Sequence, residues 1–111
     1  MANDSLSGVL LTTFLVRELM SKANRYYSYR IVFAPETIGA IAYCALNEEA
    51  MKKIDIGLVI TTVGGPGKFG YKQSYQKKHE LNRLIEEVFS ASEPKSQIVI
   101  TDFLKYFNQI K

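Results

Sequence analysis

Two carboxylates, Asp4 and Glu36, stand where chemistry is commonly done, each at the N-terminal end of an expected helix. Carboxylates gathered on one edge of a sheet serve as hard oxygen ligands for a cation or as acceptors of a proton. Glu36 has the sharper context. Residues 30–39 read R-I-V-F-A-P-E-T-I-G, and the apolar run 31–34 has the look of a buried strand without a polar face. Pro35 stops a ladder because it has no N–H to donate. A helical pattern follows through Ile38, Ile41, Ala42, Ala45 and Leu46. In open α/β sheets the crevice beyond the carboxyl ends of the strands is where ligands bind. On position alone the plainer role is favoured, since first-turn acids are common and complement the helix dipole by ~0.3–1 kcal/mol.

Other chemistries are short of residues. The chain has one histidine, His79, and one cysteine, Cys44, whereas a catalytic zinc site takes three protein ligands, often two of them histidines. The glycine-rich stretch 64–70, G-G-P-G-K-F-G, invites a phosphate-loop reading. It fails, because Phe69 follows Lys68 where Ser or Thr is needed and Thr62 stands where the first glycine belongs. From Lys68 to His79 the chain reads K-F-G-Y-K-Q-S-Y-Q-K-K-H. Phe69, Tyr71 and Tyr75 among the lysines could stack bases while the cations neutralise phosphates. The slight overall charge favours a solvated loop whose aromatics anchor in the core.

The elements that must position the carboxylates follow from periodicity. A helix is expected from Leu6 to Ser21, capped by Asp4 or Ser5, with an apolar face of Leu6, Val9, Leu10, Thr13 or Phe14, Val16 and Met20. Strands are expected over 26–33 and 56–63, and a second helix from Glu36 to about Lys53. A short extended piece at 69–73, a helix over 76–90 and a strand over 97–101 follow. The helix over 76–90 has the clearest pattern, with Leu81, Leu84, Ile85, Val88 and Phe89 on one face. Residues 102–111 read as a final short helix or a frayed end. The order α-β-α-β-(β)-α-β predicts a three-layer α/β fold, a mostly parallel or mixed sheet with flanking helices. Runs 31–33 and 58–60 should be its central, adjacent strands.

Composition sets the outer bounds. With 111 residues, 47% of them apolar and 23% charged, the chain is the size and type of one ordinary globular domain, 1–111. A net charge of +3 permits an acidic partner without implying one. The lone Cys44 rules out an intrachain disulfide, agrees with a cytoplasmic location and is expected in the core. No apolar run approaches the ~20 residues of a membrane span, and no basic-then-apolar start marks a signal peptide.

The motifs carry a resemblance. A-N-D-S-L-S-G-V at 2–9 resembles the D-N-x-S-G segment of zinc-dependent aminopeptidases of the bacterial leucyl aminopeptidase type. It is closer to the branch of aminopeptidase-like domains in bacterial polysaccharide-biosynthesis loci, where the segment runs roughly H-P-S-x-A-N-D-N-L-S-G. Y-R-I-V-F-A-P-E-T-I-G-A-I-A at 29–42 is similar to that branch's second signature, and 58–72 to a third. The resemblance extends from Ala2 to about Phe103. It implies a partial zinc-aminopeptidase-like (phosphorylase/hydrolase-like) fold and a peptide-like substrate. It matches Asp4 to a metal-binding aspartate and Glu36 to the general base that activates a metal-bound water. It also exposes departures. Thr37 stands where the classical enzymes carry a metal-binding glutamate, and both ligand histidines fall outside these residues. The resemblance therefore implies an internal fragment of the domain, inactive in isolation and holding no stable zinc. Edges and apolar faces uncovered by the missing segments would favour a homo-oligomer. The alternative is a non-enzymatic oligomeric or binding protein, with the stretch from Lys68 to His79 as a weak nucleic-acid contact.

Overall fold

Gly8 governs how the first helix meets its surroundings. A β-carbon there would lie 2.5 Å from the Ile60 carbonyl oxygen and 3.0 Å from the Thr61 Cα, so only glycine permits this backbone approach. The computed structural model describes residues 2–75, 79–91 and 98–101. They fall into two units, Met1–Gly64 and Gly65–Lys111. Among the described residues no helix is long and apolar enough to cross a membrane.

The first unit opens with a π-helical turn, Ala2–Ser7, whose regular path is broken at Asp4 (φ −104°, ψ 105°). Helix α1, Gly8–Ser21, follows, with Ser7 at its N-cap and no side-chain cap bond. The expected caps, Asp4 and Ser5, thus belong to the turn before the helix. At the other end the Leu19 carbonyl accepts the Lys22 N–H and Arg25 Nη1, each at 3.3 Å. A cation there complements the dipole. The covered stripe of α1 is Gly8, Thr12, Val16 and Leu19, at helical spacing. Of the face expected from hydropathy, Val16 alone is partly covered; Phe14 and Met20 are 58% and 72% exposed.

The second expected helix divides into α2, Ile38–Leu46, and α3, Glu48–Met51. Asn47 makes the break at φ −126°. Its Nδ2 donates back to the Tyr43 carbonyl at 2.9 Å, a side-chain bond that competes with regular helix geometry. Cys44, expected in the core, is exposed. On α3's exposed side Lys52 bridges Glu48 at 3.0 Å and Glu49 at 2.9 Å, pairs that contribute little in water.

The second unit is built as β1 (Phe69–Lys72), α4 (Glu80–Ala91) and β2 (Ile98–Thr101). The strands pair in parallel, with Phe69 opposite Ile98 and Tyr71 opposite Ile100. These are the extended pieces expected at 69–73 and 97–101. The start of the expected helix at Gln76 lies outside the described residues, as does the stretch 102–111. His79 opens α4 by accepting the Leu81 N–H on Nδ1 at 3.2 Å. The interior centres on Asn82, 4% exposed. Its Oδ1 accepts the Tyr71 hydroxyl at 2.8 Å and the Ser74 N–H at 3.2 Å, and its Nδ2 donates to Ser74 Oγ at 3.0 Å. Phe89 meets the Tyr71 ring edge-on with centroids 6.2 Å apart. Leu81, Ile85 and Phe89 are half-buried, while Leu84 and Val88 are 37% and 58% exposed, because the helix turns Asn82 inward.

The three-layer α/β sheet does not form. Residues 26–33 and 56–63 contain no strand, and among the described residues no backbone hydrogen bond joins them to each other or to a neighbour. Phe33 is 58% exposed and Val59 87%. An apolar run reads alike whether it becomes a strand or an irregular segment. A strand apolar on both faces needs ladder partners for its N–H and C=O groups and a layer on each side. These runs have neither, and the ladder that does form, β1 with β2, lies in the other unit.

Two outcomes test this packing. Gly8→Ala should destabilise the chain by ~1–3 kcal/mol, the cost of overpacking against backbone. Gly57→Ala, whose β-carbon meets nothing within 4 Å, should be neutral or stabilise by up to ~1 kcal/mol through the unfolded state. Urea denaturation of both variants is the measurement, and equal midpoints would disprove the contact. The second outcome concerns pH. Burial, reinforced by the Glu86 charge, pushes the Tyr71 hydroxyl above its ordinary 10.0. The folded state then holds this proton more tightly than the unfolded one. That stability is fully present below pH 10 and is lost as pH rises through the folded value. Alkaline titration followed by tyrosinate absorbance and circular dichroism should show this loss, and Tyr71→Phe should remove it.

Candidate functional site

Asn3 and Ser7 fasten the N-terminal turn to a distant piece of backbone. Ser7 Oγ accepts the Val63 N–H at 3.0 Å, and Asn3 Oδ1 accepts the Gly64 N–H at 2.7 Å. The Ser7 hydroxyl in turn donates to the Asn3 carbonyl at 2.5 Å. Between these pins lies Asp4, on extended backbone and with its side chain exposed. The carboxylate is therefore presented to solvent on a segment held from both sides.

Glu36 is presented by a tight reversal. Its carbonyl accepts the Ile38 N–H at 2.6 Å, across Thr37 at φ 57° and ψ −73°. This is the rarer, positive-φ form of the γ-turn. For a β-branched residue such a conformation is a true outlier, with a cost on the order of 1–3 kcal/mol. Gly39 makes the reversal sterically feasible, since a β-carbon there would lie 2.6 Å from Pro35 Cδ. The Thr37 carbonyl then accepts the Ile41 N–H at 2.9 Å and starts α2. Glu36 consequently stands before the N-cap residue Thr37 instead of in the first helical turn, which weakens the dipole reading. Among the described residues Thr62 is the other non-glycine residue with positive φ, 48°, next to the pinned Val63. Both strained threonines adjoin the segments that carry or fasten the two carboxylates.

Asp4 and Glu36 belong to the same unit. Among the described residues, however, no three histidines, cysteines, aspartates or glutamates form a group that could hold a metal ion. Thr37 brings a hydroxyl where the resemblance puts a glutamate, and its conformation is set by the turn. In the stretch from Lys68 to His79, residues 76–78 lie outside the described set. Phe69 and Tyr75 are 53% and 65% exposed, but Tyr71 is turned into the interior. The pinning pair was not singled out from sequence. Its signal was present as two side-chain acceptors at i and i+4 flanking an aspartate.

Comparison with known proteins comes to bear on this geometry. The family described as "Domain of unknown function (DUF4910)" matches residues 1–109. A protein of Clostridium acetobutylicum, named as a polysaccharide biosynthesis protein with aminopeptidase-like domain, is 42% identical over 106 residues. That match covers 96% of this chain and 24% of the relative, so the chain spans about a quarter of the curated protein it resembles. No solved structure matches.

The two held segments should respond oppositely to substitution. Thr37→Gly removes the positive-φ penalty and should stabilise the chain by ~1 kcal/mol after the entropy cost of glycine. Ser7→Ala strips the Val63 N–H of its acceptor and should cost ~1–3 kcal/mol. Thermal and urea unfolding read both, and a destabilised Thr37→Gly variant would contradict the strained turn.

Proposed function

The chain belongs to the DUF4910 family, and on that premise we propose that it forms the carboxylate-bearing portion of an aminopeptidase-like hydrolase domain acting on peptide-like substrates. The observation that carries this reading is the 42% identity, over nearly the whole chain, to a relative named for such a domain. Within it, Glu36 is the proton-accepting carboxylate and Asp4 the carboxylate on the metal side. The reversal at Thr37 supports the first assignment, since backbone strain of this kind gathers where a side chain must be held for function. The clasp of Asn3 and Ser7 supports the second.

Zinc is the metal expected of aminopeptidases of this resemblance. The residues described do not fit a closed zinc centre. A catalytic zinc takes three protein ligands, commonly including histidines, and among the described residues no three histidine, cysteine, aspartate or glutamate side chains form such a group. On its own the chain holds a proton acceptor without the ligand set that would make it effective. The reading as a nucleic-acid contact has less support, because the Tyr71 ring is committed to the interior and unavailable for stacking.

With zinc present, the purified chain should hydrolyse aminoacyl-p-nitroanilides no faster than buffer. Glu36→Gln should change its stability by less than ~0.5 kcal/mol, as for an exposed substitution. In a chimera where this chain replaces the matched segment of the Clostridium acetobutylicum relative, Glu36→Gln should lower any peptidase rate by ~10²–10⁴-fold, the usual worth of a general base. Stoichiometric zinc in the isolated chain, with hydrolysis that Glu36→Gln abolishes, would overturn the incomplete-centre reading. A chimera whose peptidase rate ignores the substitution would remove Glu36 from the chemistry.

A further inference from the structure

Helix α2 reads I-G-A-I-A-Y-C-A-L and contains no charged residue. A helix that is apolar all round belongs inside a protein, with neighbours on several sides. Here it has cover on one. Gly39, Tyr43 and the following Asn47 are the half-buried positions, and at 100° per residue they span about 80° of the helix circumference. The remaining arc carries Ile38, Ile41 and Leu46, exposed at 78%, 65% and 85%. Cys44 opens on the same uncovered side.

The first helix repeats the arrangement. Its covered stripe begins at a glycine, Gly8, and Phe14 and Met20 point away from it. Val59, in the run that Gly8 approaches, is 87% exposed. The covered positions are Gly8, Thr12, Val16 and Leu19 in α1 and Gly39, Tyr43 and Asn47 at α2, and in both helices most of the aliphatic residues are left exposed. Soluble monomers rarely leave an apolar surface of this extent open.

We propose that α2, with the outward face of α1 and the run 58–59, is a docking surface for polypeptide equivalent to the part of the Clostridium acetobutylicum relative outside the match. The amount of chain available supports this occupant. The matched segment is 24% of that protein, so about three-quarters of it is free to supply cover. The geometry of α2 supports it too. An isologous dimer applies one patch to one patch, whereas about 280° of apolar helix is more than one packed face of roughly 100° can cover. The inference rests on the family relationship and the exposed apolar faces, and is independent of whether Glu36 accepts a proton.

Cys44 is a built-in reporter. Its maleimide labelling, resolved by peptide mass spectrometry, can be timed in the isolated chain and in the chimera with the relative. In the isolated chain Cys44 should label at the rate of a free thiol, with a solvatochromic apolar dye bound and light scattering showing no closed dimer. In the chimera its labelling should slow at least tenfold and the dye should be excluded. Equal rates in the two proteins would overturn the proposal. So would protection in the isolated chain: in a monomer it would mean that residues 65–111 provide the cover, and in a dimer that a second copy does. If the chimera is insoluble, the same chain with Ile41→Glu decides. The isolated variant should keep its unfolding midpoint and bind less dye, and a collapse of its midpoint would show that Ile41 is already packed. Because labelling is read without any catalysis, a failed peptidase assay and a failed docking proposal remain distinguishable.

Discussion

The first unit depends on a clasp between side-chain oxygens and a stretch of backbone some sixty residues away. Ser7 and Asn3 take the N–H groups of Val63 and Gly64, and Gly8 lets α1 press directly on Ile60 and Thr61. A half-buried N–H left without an acceptor costs ~1–3 kcal/mol, while a made bond returns only ~1 kcal/mol net. The clasp therefore acts less by its own strength than by excluding arrangements in which these donors go unmet. Much follows from it. The regular path of the N-terminal turn ends at Asp4, α1 starts at Gly8, and the run 56–63 is held along its end without pairing as a strand. The Arg30 to Tyr43 hydrogen bond, 3.1 Å, plays a lesser version of the same part for the run before Pro35.

The second unit is organised by the opposite device. Its centre is a buried amide, and among the described residues the side chain of Asn82 is bonded by Tyr71 and Ser74. A polar group in an interior is tolerable when its bonds are complete, and then it specifies one arrangement strongly. Phe89 closes one side of the network, and Gln73 ties α4 back to the strand through Glu86 at 2.6 Å. The contrast between the units is physical. The second gathers hydrogen-bond partners around one buried side-chain amide, while the first fastens two backbone donors at its clasp and leaves most of its large apolar side chains exposed.

How far the sequence could be read follows from that contrast. Helix α4 was legible because its 3.6-residue period reports a face that really is half-covered, and β1 and β2 were legible as short extended pieces beside it. The orientation of α4 was misjudged by one position because Asn82 counts as polar in any hydropathy pattern, though a satisfied amide can lie deeper than Leu84. In the first unit, hydropathy located α1 and α2 correctly but assigned α1 the wrong inner face. The covered stripe there combines Gly8 and Thr12 with Val16 and Leu19, and its position is set by the close backbone approach at Gly8, which hydropathy does not report. The runs 26–33 and 56–63 were illegible as to state, since apolarity states a need for cover and says nothing of ladder partners. Pro35 and the helical pattern beyond it draw attention to Glu36, which the structure places one residue before the N-cap of α2. The reversal at Thr37 could not be read, because threonine is among the residues least suited to positive φ.

The exposed side of α2 and the exposed carboxylate before it have a common consequence for chemistry. A proton acceptor open to bulk water competes with that water for every proton, and fixed dipoles around it are weakened by the high dielectric. Glu36 precedes the very helix whose apolar flanks lack neighbours. Polypeptide packed on those flanks would exclude water from α2 and bring low-dielectric walls up to the turn at Thr37. The cover proposed on physical grounds for Ile38, Ile41 and Leu46 would then also be the condition for Glu36 to work as a base. It would have a second effect on the turn. Positive-φ strain at a β-branched residue persists where surroundings over-determine it, and Gly39 against Pro35 is a thin surrounding for a penalty of that size. A packed α2 would hold the reversal from both ends, so stability of the turn and protection of the carboxylate would rise together.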